Sequence, residues 1–214
     1  MGVKIELRVF ELLASRVCHD LISPIGAIGN GLELLEEADK DMAADALQLS
    51  INCVQRASAL LEFFRMAYGA AGADAGLRWE AAKPLAEGLL AGGKSSLTWG
   101  PAPANLVLPA GVPKLALNLV LMAAESLPRG GQVAVALEPG TARLTVAASA
   151  TGRDARVNDE VNAALAAGPD GASTLTAKSV HAFFTARLAE SLRGRLEVAV
   201  QPGAVRLAAG LPLA

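Results

Sequence analysis

The sequence predicts an α+β protein in two parts. An N-terminal two-helix hairpin pairs with a second copy as a dimeric four-helix bundle, and a C-terminal two-layer α/β domain follows. Three observations carry this. Residues 4–38, and a second stretch ending near Tyr68, place apolar side chains at three-four spacing over lengths that suit long helices. The run Gly69-Ala70-Ala71-Gly72-Ala73-Asp74-Ala75-Gly76 then interrupts the pattern with small residues. Beyond it, helical segments alternate with period-two strands. The expected domains are therefore 1–70 and 77–214.

In the first helix, Phe10, Ala14, Val17, Leu21, Ile28 and Leu35 form an apolar seam, interrupted by Pro24 and Gly31 and widened by Leu13, Ile25 and Leu32. After Asp39-Lys40-Asp41, the second helix repeats Leu47, Val54, Leu61 and Tyr68 seven apart, with Ala57 and Phe64 between. A lone antiparallel hairpin cannot cover its own seam, so a homodimer is the simplest solution. Past the linker, helices are expected over 80–90, 113–127 (opened by Pro113) and 174–192. Strands are expected over 96–99, 132–138, 142–148, 195–200 and 204–209, with turns at Pro139-Gly140 and Pro202-Gly203.

Composition narrows the function. The 214 residues are 52% hydrophobic but only 4% aromatic, enough to bury a real core and unlike a disordered chain. The longest charge-free stretch, Ser95 to Pro113, carries four prolines and does not read as a membrane helix. With no visible signal peptide, a cytoplasmic soluble protein is expected. A net charge of −2 without a basic cluster removes the main driver of nucleic-acid binding. Cys18 and Cys53 have no zinc or haem spacing and read as structural thiols.

Of the two histidines, His19 stands two residues off the seam, on the outer face of the first helix. A solvent-facing imidazole on a rigid helix has one nitrogen free for chemistry and another free to be oriented. Asp20 follows it, and Arg16 and Ser23 share its face at three and four residues' distance. Arg16 suits phosphate oxygens. Folding the hairpin about residue 40 brings Arg65 level with His19 as a second candidate cation. The plain alternative is a surface histidine in a charged helix. A Cys18–His19 nucleophile pair is disfavoured, because adjacent helical side chains diverge by about 100°.

The run His19-Asp20-Leu21-Ile22-Ser23-Pro24-Ile25 resembles the phosphoacceptor motif of bacterial sensor histidine kinases. The resemblance continues along 117–131, 150–154 and 186–198, but the elements that hold ATP are missing. Met122 stands where kinases keep their second box asparagine, and a thioether is a poor ligand for a hard cation. Ala150 replaces the aspartate that reads adenine. Ser179-Val180-His181-Ala182 falls where the glycine-rich loop should be, so the backbone's close approach to phosphate is lost. The C-terminal domain thus resembles a degenerate kinase ATP-binding domain.

A histidine hairpin joined to an emptied kinase domain resembles the ChpT-type histidine phosphotransferases of alphaproteobacteria over essentially the full chain. The resemblance implies a homodimer that takes a phosphoryl group on His19 from the receiver domain of a hybrid histidine kinase and passes it to downstream response regulators. It implies a phosphotransferase that binds no ATP, no cofactor and no metal of its own, with Mg²⁺ supplied by the receiver. Asp20 carries over as the acidic neighbour. Ser23 would bond near the phosphoryl group, and Ile22, with Leu21 and Ile25, would add apolar docking contacts. His181 has no implied role and reads as structural or incidental. Two other readings remain open: a non-catalytic dimeric adaptor or kinase inhibitor, and a true kinase core.

Overall fold

The structure is a computed structural model and describes residues 6–37, 40–70, 77–104, 106–168 and 171–213. Two long helices, α1 (Leu7–Glu37) and α2 (Lys40–Ala67), form the hairpin. Residue 38 at the end of the first expected helix, residue 39 of the expected connection and 71–76 of the expected linker lie outside the described residues. Pro24 sits within α1 and lacks the N–H that would bond the Asp20 carbonyl. Two turns before the end of α1, Gly31 lets the two helices approach closely. A Cβ there would overlap Ser50 Oγ and lie 3.3 Å from the Ala46 carbonyl oxygen. Gly31→Val is expected to cost about 1–3 kcal/mol by overpacking, read as a lowered thermal midpoint.

The apolar faces divide differently from the expected seam. Val17, Leu21, Ile28 and Leu35 are half-buried, but Phe10 and Ala14 are exposed. The first turns of α1 instead bury Val9, with Leu12 and Leu13 beside it, against Leu175, Val180 and Phe183 of the C-terminal domain. On α2, Ala46, Ser50, Leu60 and Phe64 are buried, whereas Leu47, Val54 and Leu61 point outward and are about half exposed. The heptad read from the sequence therefore marks an open stripe, and the buried face lies beside it. Cys18 is exposed and Cys53 partly so, both as free thiols; no disulfide or metal pairing joins them.

The C-terminal domain contains α3 (Trp79–Leu90), β1 (Ser95–Trp99), α4 (Val112–Glu125), β2 (Gly131–Pro139), β3 (Arg143–Thr151), α5 (Asp159–Ala166), a 3-10 turn (Gly171–Thr174), α6 (Val180–Ser191), β4 (Leu196–Gln201) and β5 (Ala204–Pro212). Its five strands follow the order β1-β2-β3-β5-β4, with β1 parallel to β2 and the other pairs antiparallel. Strands β2, β3 and β5 bury alternate residues, so one face carries the core. Helix α4 lies on that face and is buried from Val112 to Ala123, as its nearly all-apolar sequence requires. The described elements match the expected α+β class: a helical hairpin and a two-layer sheet domain.

Two differences from expectation matter. Helix α5 was not anticipated, although Asn158 caps it by accepting from Glu160 N at 2.9 Å and acidic residues fill its first turn. The helix expected from residue 174 starts only at Val180. Thr176 N donates to Ser179 Oγ at 3.0 Å and Ser179 N to Thr176 Oγ1 at 3.3 Å, a local alternative to helical bonding.

The hairpin is fastened to the sheet domain at several points. Phe63, Phe64 and Ala67 of α2 enter the main core. Arg56 Nη1 donates to the carbonyls of Gly88 at 2.8 Å and Leu89 at 2.7 Å, satisfying acceptors at the end of α3. At the other side, Arg8 Nη2 donates to the Leu175 carbonyl at 3.0 Å.

Candidate functional site

Helix phase sets the site. His19 projects from α1 away from the α2 contact, and its side chain is 87% exposed. Its Nδ1 lies 3.2 Å from Asp20 Oδ1. An ionised carboxylate can only accept, so Nδ1 carries the proton and donates it to Asp20. Nε2 is then left with an in-plane lone pair facing solvent. The pairing of neighbours expected from the sequence is present, and it leaves Nε2 as the ring nitrogen without a partner in that contact.

Beside His19, α1 and the sheet domain enclose an open cavity of about 420 Å³. Ser15, Arg16, His19 and Asp20 form one wall; Met122, Val157, Val161, Ala182 and Leu207 form an apolar opposite wall. Met122 and Ala182 are two of the residues that the sequence resemblance sets against the kinase asparagine and glycine loop. Arg156 and Lys178 also line the cavity, from the segment leading into α5 and the segment before α6, and Asn158 and Glu125 complete its polar side. Arg156 and Lys178 are contributions that sequence reading missed. Each is an isolated basic residue, and only the fold brings them to His19. Among the described residues no group of three His, Cys, Asp or Glu side chains is placed to hold a metal.

The other nominated residues are distributed unevenly. Arg16 does not stand free for a phosphoryl group: it pairs with the Glu125 carboxylate, and its Nη1 donates to the Ala177 carbonyl at 3.5 Å. Its charge is already offset, and it serves as a strut between α1 and the sheet domain. Ser23 is exposed one turn beyond His19, and Ile22 is 70% exposed next to it, so both are available to an incoming surface. Arg65 is exposed one turn after Leu61 on the open stripe of α2, and it does not line the cavity.

His181 proves to be fully buried within the interface between α2, α4 and α6. Its Nε2 lies 3.0 Å from the Asn118 carbonyl and its Nδ1 3.0 Å from Tyr68 Oη. The carbonyl must accept, so Nε2–H donates, and Tyr68 donates to Nδ1. Burial, with Arg16 nearby, pushes its pKa down to about 3, although the Asn118 bond opposes this. The unfolded chain takes up that proton near pH 6.5, whereas the folded one does not until far lower. Stability is thus complete above about pH 6.5 and is lost as pH falls toward 3. Urea unfolding at pH 5 is expected to show about 2 kcal/mol less stability than at pH 7 from this group, and His181→Gln to flatten that slope.

Comparisons with known proteins place the chain in a family. Residues 79–204 match the family described as the histidine phosphotransferase C-terminal domain. The protein phosphotransferase ChpT of Brucella abortus (strain 2308) is 38% identical over 203 residues, spanning 92% of this chain and 94% of that protein. A solved bacterial phosphotransferase superposes with a TM-score of 0.80 at 35% identity, covering 97% of this chain and 98% of that one. With the family match spanning more than half of the chain and a relative of that identity over nearly all of it, the chain belongs to the histidine phosphotransferase family.

Proposed function

We propose that this protein relays phosphoryl groups between receiver-domain aspartates through His19, without using ATP. The observation that carries the reading is the Asp20-bound Nδ1, which leaves Nε2 of an exposed imidazole free. In the forward step Nε2 attacks the phosphorus of a receiver's aspartyl phosphate. The P–N bond forms as the P–O bond to the carboxylate breaks, and the carboxylate leaves with that electron pair. The second receiver's carboxylate reverses the step. Such transfer depends on in-line positioning and charge stabilisation more than on covalent help. Asp20 stabilises the positive charge that develops on the ring, and Mg²⁺ comes with the receiver.

The rest of the surface supports the same reading. Ile22 and Ser23 flank His19 on the hairpin, while Arg156 and Lys178 approach from the sheet domain, so an acidic receiver site meets apolar contacts on one side and cations on the other. Met122, Ala150 and the 179–182 segment support a domain retained for docking and not for nucleotide. Leu47, Val54 and Leu61, with Ile25 and Leu32 of α1, support a homodimer in which two hairpins form a four-helix bundle. A soluble relay between receivers belongs in the cytoplasm; no helix among the described residues is long and apolar enough to cross a membrane.

The test is a two-receiver assay: labelled phosphate on a hybrid kinase's receiver is mixed with this protein and a response regulator, with and without ATP. Acid-labile label on this protein and passage to the regulator support the relay. Labelling from ATP alone would favour a kinase, and no label on His19 would favour an adaptor.

A further inference from the structure

The end of α2 meets the sheet domain through a closed polar joint set among rings. Asn118 Nδ2 donates to the Ala67 carbonyl at 2.9 Å and to the Lys114 carbonyl at 2.8 Å. Lys114 Nζ donates to the carbonyls of Gly69 at 2.8 Å and Tyr68 at 3.4 Å. Three consecutive carbonyls at the helix end, which lack intrahelical donors, are therefore held by α4. Tyr68 stacks on Phe64 at 5.5 Å and meets the edge of Phe184 at 5.4 Å. Its hydroxyl donates to His181 Nδ1, and His181 donates onward to the Asn118 carbonyl. Asn118 Oδ1 is buried without a hydrogen-bond partner, but the bonds named here are made by buried or half-buried groups, and opening the joint would leave them unmatched.

The joint lies one step from the cavity. Met122 follows Asn118 by one turn of α4, and Ala182 follows His181 directly on α6; both line the cavity wall opposite His19. We propose that Tyr68 and His181 are positioning residues for the transfer, holding the sheet domain at one fixed setting against the hairpin so that a receiver meets both surfaces together. A pre-set pair of surfaces lowers the ordering cost of docking, whereas a swinging domain would have to be arrested at each encounter. The neutral state of His181, kept by burial, suits a joint that does not change over the ordinary pH range. This inference rests on the relay reading above.

The experiment uses full-length protein with Tyr68→Phe, His181→Leu and His181→Gln. His19 is labelled with phosphoramidate, a small donor that needs no docking, and transfer to a receiver is followed over a range of receiver concentrations. Tyr68→Phe removes only the hydroxyl and leaves the rings packed. We expect phosphoramidate labelling to stay at the wild-type level in all three variants. KM for the receiver should rise about tenfold in Tyr68→Phe and His181→Leu with kcat within about twofold, and His181→Gln should recover much of the loss. Unchanged KM in folded Tyr68→Phe and His181→Leu would overturn the proposal. So would a parallel fall in labelling, transfer and thermal midpoint, which marks a stability element only. Failure of the wild-type protein to pass phosphate overturns the relay reading itself.

Discussion

His19→Ala is expected to reduce phosphate passage between receivers to the level of a mixture lacking this protein, while leaving the fold intact. The imidazole is 87% exposed and makes its one described hydrogen bond to its neighbour Asp20, so truncation opens no cavity and strands no buried group. The loss therefore reports chemistry and not unfolding, which a thermal melt matching the wild type would confirm. Asp20→Asn separates the two roles of that neighbour. An amide still bonds Nδ1 but loses the charge assistance, a difference of about 1–1.5 kcal/mol, so transfer should slow about tenfold and not stop. Full-rate passage by His19→Ala would remove the relay reading, and full-rate passage by Asp20→Asn would remove the charge assistance ascribed to Asp20.

The second large effect concerns assembly. Val54→Asp combined with Leu61→Asp is expected to turn the proposed homodimer into monomers at micromolar concentration, seen by light scattering or sedimentation. Both side chains are about half exposed on a stripe that continues through Leu47, and neither packs in the core of its own chain. A monomer therefore tolerates the substitutions, whereas a bundle would have to bury two carboxylates per subunit at several kcal/mol each. A rise of at least about 100-fold in the dimer dissociation constant corresponds to about 2.7 kcal/mol, well below that cost. Wild-type assembly by the double variant would show that this stripe is not the dimer face. His19 phosphorylation by phosphoramidate should survive in the monomer, since α1 alone presents the imidazole.

Much of the fold is legible because it is repetitive. The three-four pattern marks α1 and α2, and the period-two runs around Pro139-Gly140 and Pro202-Gly203 mark strands whose register the structure shows. What misleads is the meaning of an apolar position. Phe10 and Val9 are neighbours of equal hydrophobic character, yet Val9 packs on Leu175 and Phe183 while Phe10 lies exposed. Leu47, Val54 and Leu61 form the cleaner heptad, but within one chain it is Ala46, Ser50 and Phe64 that are buried. Periodicity fixes which residues share a face and cannot say what that face meets, because a helix with three neighbours has more than one apolar side. Helix α5 went unseen for a different reason: at eight residues it is too short to show a period, and only its Asn158 cap announced it.

The site divides along the same line. His19, Asp20, Ile22 and Ser23 lie within five residues, and helical geometry alone arranges them, so the sequence by itself determined the exposed imidazole, its orienting carboxylate and its near neighbours. Met122, Ala150 and Ala182 stand, by the kinase resemblance of the sequence, at positions of expected ATP chemistry, and the proposed loss of that chemistry is read from the sequence alone. The tertiary structure alone decided that Arg16 is occupied by Glu125, that Arg156 and Lys178 stand across the cavity from it, and that His181 joins Tyr68 to α4. Each of those contacts spans many tens of residues, from His181 to Asn118 to well over a hundred between Arg16 and its partners. Short-range order follows from dihedral angles and spacing, which sequence encodes locally. Long-range pairing follows from how whole surfaces pack, so an arginine's partner is known only once both elements have been placed.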